Sequence, residues 1–277
     1  MGWLSQQLAS WDTFFSGVTI LVIGALVGFV SKELLLPTLF ETWKNRRALS
    51  GIYQKYRDPL FLASCEFASR LLEIIKTYPT PFLSSKVREN DIKRLMANSA
   101  DDPYFQRYKL ISSVYRFCAF LGWLELYRQE IVFLDSGHLS RNKAMESSLA
   151  NIRSDIADGH LNRADDWSSW DDHLVFREEL RAIGEAMIFV DAANRQNVIG
   201  YRRFCEIYVG NSDPARKSWF DVAALFLLDL PKSTAQNFRL IRLRRTFLHL
   251  IDLLEALDHR KVPNYLREFQ RELQPSA

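Results

Sequence analysis

The chain has 277 residues, enough for one large or two small domains with a buried core, at about 100–200 residues per domain. It carries 36 Lys and Arg against 33 Asp and Glu, a net charge of +3, too balanced to indicate a nucleic-acid binder by bulk charge. Apolar residues make up 48%, and the 11 Gly and 9 Pro are too few for a collagen-like or linker-dominated chain.

The clearest single feature is near the start. Residues 13–31 (TFFSGVTILVIGALVGFVS) contain no charged side chain. As a helix they would span about 28 Å, the hydrocarbon thickness of a bilayer. Residues 1–12 hold no Lys or Arg, and no small-residue cleavage site follows, so the run reads as an uncleaved anchor rather than a signal peptide. Asp12 precedes the span, whereas Lys32, Lys44, Arg46 and Arg47 follow it. The positive-inside rule then puts the N-terminus outside and the rest in the cytoplasm. Trp3 and Trp11 suit the outer interface and Trp43 the inner one. Gly17, Gly24 and Gly28 share one helical face, and the GxxxG pair formed by the last two permits a close helix contact, with a partner or a second copy.

The sequence therefore divides into a short outer N-terminus (1–12), an anchor (13–36), a juxtamembrane connector (37–57) and a cytoplasmic domain (58–277). Apolar spacing in that domain is helical nearly throughout. Asp58-Pro59 reads as a helix start, with the helix closing before the Pro79 and Pro81 pair. Asp102-Pro103 opens a second, running to about Asp135, with Gly122 as a potential kink. Met145, Leu149, Ile152 and Ile156 mark one face of a third, and a polar loop covers 158–171. Further helices are expected over 172–190, 200–209, 217–230, 233–259 and 263–271. No run alternates long enough to predict a strand. The fold expected is all-α: a single N-terminal transmembrane helix followed by a multi-helix cytoplasmic bundle.

Cys65, Cys118 and Cys205 lie far apart without a C-x-x-C pair, which argues for buried free thiols rather than disulfides or zinc. No phosphate-binding glycine loop, nucleophile elbow or HExxH occurs, and the five histidines share no metal-ligand spacing. The sequence thus calls for no cofactor and no metal, and names no catalytic residue.

Two polar groups lie inside apolar runs. Glu125 and Arg128 sit at i, i+3 in FCAFLGWLELYRQEIVFLD, and Arg181 and Glu185 at i, i+4 in FREELRAIGEAM beside Gly184. They read either as internal salt bridges that fix helix register or as a cluster across two helices that binds an anionic ligand or does acid/base chemistry. A third group, Arg239, Arg242 and Arg245, shares a helix face at i, i+3 and i+6. It reads as a solvated face opposite the apolar one, or as a surface for anionic phosphates.

FLGWLELYRQEIVFLD, FREELRAIGEAM, Gly200-Tyr201-x-x-Phe204 and RLIRLRRTFLHLIDLLEALD together resemble a family of bacterial proteins with an N-terminal membrane helix and a helical cytoplasmic domain. The resemblance implies that architecture and assigns no activity to any residue. The function expected is a membrane-anchored helical interaction module, an accessory or scaffold subunit at the cytoplasmic membrane face. Its partners would be the bilayer and a membrane protein or a second copy, rather than nucleic acid. The alternative is a membrane-surface enzyme or anionic-ligand binder using the Glu/Arg cluster.

Overall fold

The computed structural model describes residues 36–76, 104–131, 140–157, 174–230 and 234–255. Among them the chain is predominantly helical, with seven helices and one short hairpin. Met1–Gly51 and Ile52–Ala277 form two compact units. The proposed anchor at 13–31 lies outside the described residues; within them, no helix is long and apolar enough to cross a membrane.

Helix α1, Leu36–Lys76, departs from expectation at one landmark. It takes in the juxtamembrane stretch 37–57, and Pro59 lies inside the helix instead of opening it. Proline there cannot donate to the carbonyl four residues back, a cost of about 3 kcal/mol relative to alanine. Immediately downstream, Leu60, Phe67 and Leu71 are completely buried, and that packing holds the helix through the proline. In the first unit, Trp43 is exposed and the Arg47 guanidinium lies 5.4 Å from its ring centroid, a cation–π contact.

Helix α2, Tyr104–Ile131, is the centre of the second unit. Val114, Phe117, Cys118, Phe120 and Leu126 are all fully buried along it. Helix α3, Ser140–Ala157, buries Met145, Leu149, Ile152 and Ile156, the face its spacing predicts.

Helix α4, Arg177–Ala186, is much shorter than the helix expected over 172–190. It gives way to an antiparallel hairpin of β1, Ile188–Val190, and β2, Gln196–Val198, with Ile188 opposite Val198 and Val190 opposite Gln196. The turn explains the break. The Asp191 carboxylate accepts from the Ala193 and Arg195 backbone N–H groups, each at 2.9 Å, and Asn194 takes φ 57°. Local hydrogen bonds of this kind compete with the helix and win at Asp191.

Helix α5, Tyr201–Tyr208, starts after Gly200. Helix α6, Pro214–Asp229, opens with proline at its first turn and Asp213 as cap, accepting from the Arg216 N–H at 3.2 Å. Helix α7, Thr234–Glu255, is the last described element. Phenylalanine rings join the layers. Phe67 of α1 meets Phe117 of α2 and Phe247 of α7, each at 5.1 Å between centroids, and Phe117 stacks on Phe226 of α6 at 5.6 Å.

Candidate functional site

The seam between α2 and α4 is set by two glycines. A Cβ on Gly184 would lie 2.7 Å from the Leu121 carbonyl oxygen and 2.9 Å from the Glu125 Cβ. A Cβ on Gly122 would lie 2.9 Å from the Met187 Cβ and 3.1 Å from a Val198 methyl. Gly122 is therefore a point of close approach within a continuous helix. The pairs 122 with 187 and 125 with 184 run in opposite directions, so the two segments are antiparallel.

The charges expected as one buried cluster separate along this seam. Glu125 is 2% exposed, and its carboxylate is held by its own helix. Arg128 Nε donates to Oε2 at 2.7 Å and Nη2 to Oε1 at 2.5 Å, while Gln129 adds a bond to Oε1 at 3.0 Å. This bidentate bond to Glu125 pushes the Arg128 guanidinium above its ordinary pKa. Arg181 and Glu185 are exposed, and neither makes an ion pair among the described residues. The two helices do meet, but the four-membered buried network does not close. One member of the surroundings was not foreseen: Arg153 of α3, half-buried, whose pKa is lowered by burial and then by the nearby charges of Arg181, Arg177 and Arg128.

The arginine stripe on α7 does not form a single solvated face. Arg239 is completely buried and its Nη1 donates to the carbonyls of Asp155 at 2.7 Å and Ile156 at 3.3 Å, at the end of α3. Arg242 pairs with the Asp155 carboxylate at 2.5 Å, and Thr246 Oγ1 donates to the same group at 2.5 Å. Arg245 alone of the three is exposed. Asp155 is 1% exposed, and burial raises its pKa against the opposing pull of Thr246, Arg242 and Arg239. These groups fasten α7 to the carbonyl end of α3, where positive charge is favoured.

Two further polar groupings had no sequence signal, because their members are remote in the chain. Arg70 of α1, 1% exposed, donates to Glu73 at 2.5 Å and to Ser112 of α2 at 3.1 Å, and Lys109 donates to the same Glu73 oxygen at 2.6 Å. Glu130 of α2 accepts from Lys55 and, at 2.5 Å, from the Tyr56 hydroxyl. These last three residues border a cleft of about 710 Å³ with Trp123 and the hairpin turn.

A second concavity, of about 510 Å³, lies between α2 and α5. Its apolar walls are Tyr108, Ile111, Tyr201, Cys205 and Val209. Tyr108 and Tyr201 remain 38% and 37% exposed, and Tyr115 braces the Tyr201 ring edge-on at 5.2 Å. On the rim, Glu206 pairs with Arg202 at 3.2 Å and Arg203 at 3.0 Å.

The cysteines form no disulfide: Cys65 and Cys118 are buried, and Cys205 is half-buried in the groove wall. Gly17, Gly24 and Gly28 lie outside the described residues. No group of three metal-ligating side chains occurs among the described residues. No family model, curated protein or solved structure matches the chain.

Proposed function

We propose that the chain is a membrane-anchored helical interaction module, an accessory or scaffold subunit whose body docks a partner protein at the cytoplasmic membrane face. The observation that carries the reading is the groove between α2 and α5. Its floor is apolar, two tyrosines stand exposed at its walls, and ion-paired charges lie on its rim. An apolar centre ringed by polar groups, with tyrosine as anchor, is the composition of a protein interface. The uncharged run at 13–31, followed by basic residues, supports the membrane half of the proposal.

The test is affinity purification of the full chain from native membranes, beside a Val209→Asp variant. One defined partner should co-purify with the wild type in fixed ratio and be lost with Val209→Asp. Recovery of the same partner with both forms, or of none with either, would overturn the docking reading. Reporter fusions at the C-terminus check the membrane half. Activity of a cytoplasmic reporter is the expected result, and activity of a periplasmic reporter contradicts the orientation.

A further inference from the structure

The cleft of about 710 Å³ bounded by α1, α2 and the hairpin turn shares no wall residue with the α2–α5 groove. Its size is that of a small-molecule site. Its charges are already matched. Glu130 Oε1 accepts from the Lys55 ammonium and, at 2.5 Å, from the Tyr56 hydroxyl. Asp191 pairs with Arg195 at 2.9 Å. Two cations and two carboxylates on the walls cancel, so the cleft has no net charge to offer an ionic guest. The Tyr56 ring is taken as well, because the Lys55 ammonium lies 4.7 Å from its centroid.

What remains unspent is hydrogen-bonding capacity without net charge. Glu130 Oε2 accepts no bond among the described residues, since both its partners use Oε1. The side-chain amides of Asn194 and Gln196 also line the cleft and make no hydrogen bond among the described residues. Each amide carries donors and an acceptor in one plane. Trp123, half-buried, adds an aromatic wall. Trp123 and Glu130 are seven residues apart on α2, two turns along one face, so a guest that reaches both is about 10 Å long. An added peptide strand fits poorly: Asn197 Oδ1 accepts the Val198 N–H at 2.8 Å and withdraws it from pairing with a further strand. A sugar fits. Each hydroxyl both donates and accepts, and the C–H face of the ring packs on an indole.

We propose that this cleft binds an uncharged saccharide, with Trp123 against a ring face and Glu130, Asn194 and Gln196 on its hydroxyls. A free sugar and the headgroup of a glycolipid share this chemistry. The site does not depend on the docking proposal, and either stands if the other fails.

The experiment uses the full chain in polyoxyethylene-ether micelles, which carry no sugar. Maltose, cellobiose and chitobiose are titrated separately while hydrogen exchange of residues 190–197 is followed, with choline chloride as a cationic probe. A parallel arm places the chain in phosphatidylcholine vesicles with or without diglucosyl diacylglycerol. Saturable protection is expected from at least one disaccharide or from the glycolipid, and none from choline. Protection by a disaccharide assigns a soluble ligand, and protection by the glycolipid alone assigns a headgroup. Gln196→Ala should weaken binding about three- to tenfold, the loss of one hydrogen bond, while Arg202→Gln on the groove rim should leave it unchanged. Gln196 is exposed, so its variant keeps the fold, and an unchanged thermal midpoint verifies this. No protection in either arm, protection by choline alone, or equal binding by Gln196→Ala overturns the proposal.

Discussion

Arg239 donates to the backbone carbonyl of Asp155 at 2.7 Å, a contact that closes 84 residues of chain and fastens α7 to the end of α3. The guanidinium is completely buried, so its loss would leave the Asp155 and Ile156 carbonyls short of a donor. Arg239→Ala should cost roughly 3 kcal/mol, whereas Arg245→Ala, on the exposed face, should stay within about 0.5 kcal/mol. Thermal unfolding of the two variants checks this, and equal midpoints would refute the buried contact.

The glycines give a pair of substitutions with opposite signs. Gly184→Ala forces a methyl against the Leu121 carbonyl and the Glu125 Cβ, and should destabilise by about 1–3 kcal/mol. Gly51→Ala has nothing within 4 Å of the added carbon and sits inside α1, so it should stabilise that helix by about 0.5–1 kcal/mol. Helix content and unfolding midpoints distinguish the two.

The thiols should differ sharply in reactivity. Burial pushes the Cys65 thiol up to about 12 and the fully buried Cys118 well above its ordinary value, so neither supplies thiolate at neutral pH. Cys205, half-buried in the groove wall, should be alkylated first by iodoacetamide in the folded chain. Peptide mass analysis during the time course reads the order. A bound partner should slow labelling at Cys205 and nowhere else.

Asp155 should impose a pH dependence of recognisable sign. Its folded pKa is raised above the ordinary 3.8, so the folded state binds the proton more tightly than the unfolded one. Its contribution to stability is therefore complete below the unfolded pKa and falls as pH rises through the folded one. Asp155→Asn should flatten this part of the profile, seen as a wild-type-minus-variant difference in midpoint that declines with rising pH above 3.8. A difference that grows with pH would show that the Arg242 pair outweighs burial.

How much of this was legible depended on the range of the interaction. Met145, Leu149, Ile152 and Ile156 mark the buried face of α3 because helical periodicity is a local property. The hairpin at 188–198 was missed because three-residue strands show no alternation, although Asp191 followed by Asn194 was a usable turn signal. Pro59 misled because tertiary burial of Leu60 and Phe67 overrides a local breaker. At the site, Gly184 beside Arg181 and Glu185 correctly suggested a close helix contact, since only a residue without a side chain permits it. The fate of the charges was hidden. Nothing in the spacing of Arg239, Arg242 and Arg245 distinguishes solvent on one side from the carbonyl end of another helix, and Arg153 gained its meaning only from α2 and α4.

The docking groove is tested most directly by a photo-crosslinking residue placed at Tyr201 in the full chain within cells, beside one at exposed Ser147 on α3. Irradiation should give one discrete heavier product from position 201 and none from 147, and Val209→Asp should abolish it. No product from position 201, or the same product from both positions, would contradict the account.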